Sequence, residues 1–383
     1  MRGPIAAVVA TVLAACAGPG PSVSAGQQSP LAVVSSSPSS SPISPPQIGW
    51  VTQPFAGGPI TAATEVGKTW IAMGQDEAWR SDDGAHWHQG SIGNLVEYPF
   101  NPELIQGAPY PVGVVRMGDE WLALSTLYGA GDAVSPVVFI SKDGLTWTHL
   151  ISSASWGFNA TGLASNGTVV IATNIDYLGG SVFTSTDGVM WAEHVAPGGP
   201  AGLTDVYADP GAIVAVGWRD KNERSVPVVW LSKEGSAWTE SNPIAAEGAT
   251  TPKAVQRTPT GSFVMVATVV TAPAGCTTGA CVVWSLGAWY SADGQTWQET
   301  ELPVGAPLPA GMDYREVDLL PISGGVLAVA SSADGWAAWA TAEGTVWKAV
   351  DVPDRGLAIS AGASNGASVL LFGTGAVLTG AAD

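Results

Sequence analysis

One short phrase occurs six times in this chain, and it restricts the fold more than any other feature. Ser141-Lys142-Asp143-Gly144-Leu145-Thr146-Trp147 is one copy. The others are SDDGAHW from Ser81, STDGVMW from Ser185, SKEGSAW from Ser232, SADGQTW from Ser291 and TAEGTVW from Thr341. Each has a hydroxyl residue, an acid two positions on, then Gly, then Trp six positions after the hydroxyl. An aromatic stands two residues upstream of each: Trp79, Phe139, Phe183, Trp230, Trp289 and Trp339. The residues leading into the hydroxyl alternate as a strand does. The acid–Gly pair reads as a tight turn: Gly supplies a positive φ, and the carboxylate accepts N–H groups freed by the reversal. The hydroxyl adds a second local bond. Trp returns on the next strand and packs beside the upstream aromatic. The unit is a β-hairpin with its own turn cap.

The phrase resembles the Asp box, or bacterial neuraminidase repeat, S/T-x-D-x-G-x-x-W. Here Gly follows the acid directly, so the match is to a shortened variant. The resemblance implies a β-propeller in which Asp83, Asp143, Asp187, Glu234, Asp293 and Glu343 serve structural turns remote from any active site.

A second landmark counts the units. A short apolar strand follows a Gly-containing turn seven times: from Trp70, Trp121, Val169, Ile213, Phe263, Val326 and Val369. Blades of four strands, with the phrase between the third and fourth, account for both counts if the last unit lacks its fourth strand. Gly49-Trp50-Val51-Thr52 reads as that missing strand. The expected architecture is therefore all-β, a β-propeller of seven blades, closed by pairing of the N-terminal strand with the C-terminal blade. Six blades with extra terminal strands is the competing count. Gly (48) and Pro (28) are abundant, as many short strands joined by turns require.

Met1–Ala15 reads as a targeting segment. Arg2 precedes an apolar run from Ile5 to Leu13 that is too short to span a bilayer. Leu13-Ala14-Ala15-Cys16 resembles the bacterial lipobox, which implies lipidation of Cys16 and an extracytoplasmic, membrane-anchored protein. Residues 16–46 are Ser-, Pro- and Gly-rich with almost no charge, a composition that cannot offset its own ordering entropy. They read as a tether, and 47–383 as the propeller. Cys276 and Cys281 are then a pair, expected as a disulfide in that compartment.

With 14 basic and 32 acidic residues the net charge is −18, and no basic stripe suited to nucleic acid exists. The expected partners are the membrane, through the anchor, and a carbohydrate or another envelope protein. The four histidines (His86, His88, His149 and His194) lie around turns of different blades. No zinc spacing, P-loop or nucleophile elbow is present, so no cofactor or metal is expected.

Within this architecture, one end of the ring carries short turns and the other carries the long insertions. Those fall at Ser91–Pro111, Tyr128–Ser135, Asn174–Gly180, Trp218–Val226, Thr271–Cys281, Leu302–Arg315 and Asp334–Trp336. Long loops on a rigid scaffold are where binding residues usually sit. Candidate ligand-binding residues are Tyr98, Tyr128, Asp176, Tyr177, Trp218, Arg219, Asp313, Tyr314, Arg315 and Trp336. Aromatics with carboxylates suit carbohydrate, and Trp, Tyr and Arg also anchor protein interfaces. A surface-tethered binding or scaffold module follows. A glycoside hydrolase of sialidase or xyloglucanase type is the alternative, requiring placed carboxylates or an arginine clamp. No residue is assigned as catalytic. An envelope assembly factor is a third reading, by analogy of fold.

Overall fold

Each box phrase forms the turn between the third and fourth strands of a four-stranded antiparallel blade. The computed structural model describes residues 47–382 except 94, 96–107, 129–133, 152–158, 176–178, 196, 200, 222–223, 247, 273–281, 304–315 and 333–334. These residues form seven sheets, as expected. Six follow sequence order from the inner to the outer strand, and the second blade gains a fifth strand on its outer edge.

The seventh sheet closes the ring. Its first three strands are Ile359–Ser364, Ser368–Gly373 and Ala376–Ala382, and its fourth is Ile48–Pro54 from the other end of the chain. That strand pairs antiparallel with the last one, in register from Ile48↔Ala382 to Pro54↔Ala376. The C-terminal edge is thus covered rather than left as a template for another chain.

The core lies within and between blades. The second strand of each blade is buried on both faces, as at Ile71-Ala72-Met73, Ile213-Val214-Ala215-Val216 and Val264-Met265. Each such Val, Leu or Ile removed from water contributes about 1.5–3 kcal/mol. All six aromatic–Trp pairs share a cluster within their blade, as Phe139 does with Trp147 and Trp230 with Trp238.

The box turns repeat one hydrogen-bond scheme. The hydroxyl of residue one accepts the Gly N–H at 2.8–2.9 Å in all six copies. The Gly residues have φ between 72° and 95°. In the four Asp copies the carboxylate accepts the next two N–H groups, as Asp143 does from Leu145 (2.8 Å) and Thr146 (2.7 Å). Glu234 and Glu343 depart from the expectation, because neither carboxylate bonds its turn and both side chains are exposed. Their extra methylene carries the carboxylate past the N–H groups that an Asp meets. Four Trp side chains close the turn by donating Nε1–H to the Gly carbonyl, at Trp147, Trp191, Trp238 and Trp297.

The same glycines join neighbouring blades. A Cβ at Gly144 would lie 2.4 Å from Ile71 of the first blade, and one at Gly344 2.4 Å from Val264 of the fifth. Gly is needed there twice, for its φ and for the approach of the next blade.

Three expected loops are instead strand. The hairpin ladder of the fourth blade continues to Lys221↔Arg224, so the Trp218–Val226 insertion reduces to residues 222–223. The second blade pairs up to Tyr128↔Val134, and the sixth up to Ser332↔Gly335. Paired backbone satisfies these segments more completely than irregular loop would.

Candidate functional site

The inner strands run from the end that carries the longer connections toward the end that carries the box turns, and their free edges line a central channel of about 550 Å³. Among the described residues, six of the seven carry a β-bulge close to the mouth. The extra residues are Thr61, Val112, Thr161, Thr204, Lys253 and Ser360. Bulges re-aim side chains and are common beside functional sites.

Three bulge hydroxyls stitch their blade to the next. Thr61 donates to the carbonyl of Pro111 (3.0 Å), Thr161 to that of Leu203 (2.8 Å) and Ser360 to that of Ile60 (2.6 Å). In each case the acceptor is the residue just before the following blade's bulge. The fourth blade uses Asp205, one residue past its bulge, whose Oδ2 accepts Val255 N–H at 2.9 Å. Burial pushes the Asp205 carboxyl up to about 6, against the opposing effect of N–H groups from Val255 and Val206. Asp318 occupies the corresponding position in the sixth blade, pairing with Val329 as Asp205 pairs with Val216. Its carboxylate lies against Gly362 of the seventh blade.

Lys253 breaks the series. It takes the stitch position in the fifth blade and lines the channel, half-buried. Among the described residues its ammonium has no hydrogen-bond or ion-pair partner. The other charged side chains of the channel lining are Glu65, Asp205 and Asp318.

The mouth end carries exposed apolar side chains. Tyr110 and Tyr128 stand at the top of the second blade, and Val283 and Trp284 at the top of the fifth. Tyr128, predicted as a binding residue, is 49% exposed and ends its strand.

Three other candidates are committed to the scaffold. Trp336 was expected in a loop but is 3% exposed in the strand Gly335–Thr341, and its Nε1–H donates to Asp354 O at 3.1 Å. The apolar stretch around it extends the sheet and buries the indole. Arg219 forms a two-toothed pair with Glu240 at 2.8 and 3.0 Å and also reaches Pro197 O. Trp218 is half-buried with its ring over Gly202. Tyr98, Asp176, Tyr177, Asp313, Tyr314, Arg315, Cys16 and the Cys276–Cys281 pair lie outside the described residues.

Toward the opposite end, Arg257 donates to Asp209 at 2.7 Å and Tyr207 to the same carboxylate oxygen at 2.8 Å. Burial would raise Asp209, but these bonds and the N–H groups of Gly211 and Ala212 hold it below its usual range. Arg116 bonds the Gly118 and Asp119 carbonyls over the Trp121 ring. Among the described residues no three His, Cys, Asp or Glu side chains converge as a metal site.

Sequence reasoning overlooked Lys253, Asp205 and the stitching hydroxyls. Their signal is legible once the inner strands are aligned on the buried second strands. A polar residue then stands before a small one at Thr61-Ala62, Thr161-Gly162, Lys253-Ala254 and Ser360-Ala361.

No protein-family model matches the chain, and no curated protein does. Solved structures do. A catalytically inactive variant of virginiamycin B lyase from Staphylococcus aureus, solved with quinupristin, gives a TM-score of 0.58 at 8% identity over 88% of this chain and 99% of that one. A streptogramin B lyase gives 0.56 at 10% identity over 88% and 98%. The likeness is one of fold.

Proposed function

We propose that this chain is a lipid-anchored, extracytoplasmic propeller acting as a binding or scaffold module through the end of the ring that holds the channel mouth. The observation that carries the reading is the difference between the two ends. One is built from short turns, six of them box turns closed on their own hydroxyl residues. The other presents Tyr128 and Trp284 at 49% and 36% exposure. Exposed aromatics on a rigid scaffold suit a carbohydrate or another envelope protein. The Leu13-Ala14-Ala15-Cys16 sequence supports the anchor, and the turn scheme supports kinship with Asp-box repeats.

The hydrolase reading is weaker, because Arg219, Arg116 and Arg257 are spent on scaffold bonds rather than on a clamp at the mouth. The lyase activity of the structural neighbours is not carried over, since 8–10% identity extends to fold alone. An envelope assembly role remains a variant of the scaffold reading.

The test uses the chain from Gln47 onward, which contains every strand of the ring. It is passed over immobilised sialosides and plant and bacterial polysaccharides, with retention and released sugar scored together. Retention lost in Tyr128→Ala or Trp284→Ala supports a carbohydrate-binding rim. Sugar release overturns the binding reading in favour of a hydrolase. With neither signal, crosslinking on intact cells decides for or against a protein partner.

A further inference from the structure

The channel is a feature distinct from the rim aromatics. At two seams the residue in the stitch position is neither a hydroxyl nor followed by a carboxylate. Between the second and third blades the stitch residue is Val112, and between the fifth and sixth it is Lys253. A valine leaves an apolar seam and needs nothing more. A half-buried lysine lining the channel is different, since no described side chain takes up its three N–H donors. Lys253 is therefore a donor held ready in the throat of a channel of about 550 Å³. That volume lies within the range of small-molecule sites, roughly 300–1,000 Å³.

The wall restricts what such a ligand can be. Seven inner strands turn one edge inward, so the N–H donors and C=O acceptors that the stitches do not take line the channel. The hydroxyls of Thr61, Thr161 and Ser360 already donate to carbonyls and keep lone pairs free. Asp205 and Asp318 flank Lys253 on the fourth and sixth blades, one residue past the stitch position. Their carboxylates in the same lining disfavour an anionic ligand. A molecule that is neutral overall, and that donates and accepts at each polar atom, meets all of these conditions. Hydroxyl groups on a sugar ring do so.

We infer that the throat around Lys253, between the fifth and sixth blades, binds a neutral polyhydroxylated small molecule of mono- or disaccharide size, with the ammonium donating to its oxygens. This site is separate from the exposed aromatics at the rim, so either can fail without the other.

The full chain in detergent is titrated calorimetrically with glucose, N-acetylglucosamine and cellobiose, with anionic acetate and zwitterionic glycine as probes that carry ionised groups and no hydroxyls. Saturable binding of at least one neutral sugar is expected. Lys253→Met, which keeps the length and removes the donor, should weaken it about tenfold. Glu234→Ala, at an exposed turn outside both sites, should leave it unchanged, and thermal melts of both variants establish that the ring is intact. Equal affinity in Lys253→Met overturns the assignment. So does binding of acetate or glycine in place of the sugars, or no saturable binding to any probe.

Discussion

Trp50 and Trp336 meet edge to face, with ring centroids 5.6 Å apart and planes at 87°. The first lies on the N-terminal strand and the second in the sixth blade, so the strand that completes the seventh blade also seals the seam beside it. Trp50→Ala should lower stability by about 2 kcal/mol, less than a fully buried Trp because this one is half-buried. Removing residues 48–54 should go further and abolish a single cooperative transition. Urea unfolding followed by tryptophan fluorescence and by circular dichroism reads both. Superimposable curves for the truncated chain would mean the ring does not depend on this closure.

The box turns predict a graded series. Gly144→Ala faces a φ of 73° and a methyl contact 2.4 Å from Ile71, so it should destabilise by about 1–3 kcal/mol. Asp143→Ala removes the cap on two N–H groups and should cost about 1 kcal/mol. Glu234→Ala and Glu343→Ala should fall within about 0.5 kcal/mol of the parent, because their carboxylates bond nothing in the turn. Chemical denaturation of the four variants at neutral pH orders them. A Glu variant as costly as Asp143→Ala would contradict the turn scheme.

The acid limb of stability follows from the same carboxylates. N–H groups of the turn, those of His86, Thr146, Met190 and Thr296 foremost, hold Asp83, Asp143, Asp187 and Asp293 below the usual range, with Asp143 at about 2. A depressed folded-state pKa adds stability that is present above the unfolded value near 4 and is lost as pH falls through the folded one. Stability should therefore drop between about pH 4 and pH 2. Replacing the four residues with Asn should flatten that drop while lowering stability at neutral pH. Melting temperatures across this range would show the parent and variant curves converging at low pH.

How far the fold was legible depends on what each residue does locally. Gly144 and Trp147 act within a few residues of each other, so the turn, the hairpin and the closing strand at Trp50 could be read from spacing. Trp336 could not be placed, because its burial comes from Trp50 and Asp354, which belong to other parts of the chain. Arg219 looked available until Glu240, the carboxylate that takes it, was seen. Lys253 and Asp205 are not marked by any sequence neighbour and stand out only when the inner strands of several blades are aligned. Their role depends on bulges that offset the ladder by one residue, visible only when one blade's edge meets the next.

Asp205 offers the sharpest test of that seam. Burial raises its folded-state pKa to about 6, above the unfolded value. The sign is then opposite to that of the turn carboxylates. Between about pH 4 and pH 6 the native state binds the extra proton, so stability falls as pH rises through that window and is level above it. Asp205→Asn keeps an oxygen for the Val255 N–H and removes the charge that burial penalises. It should stabilise the protein by about 1–2 kcal/mol at pH 7.5 and leave it unchanged near pH 4. Urea midpoints at the two pH values measure the difference directly. A loss of stability at pH 7.5 would show that the ionised carboxylate is favoured in the folded ring, with Lys253, the cation lining the same channel, as the group to remove next.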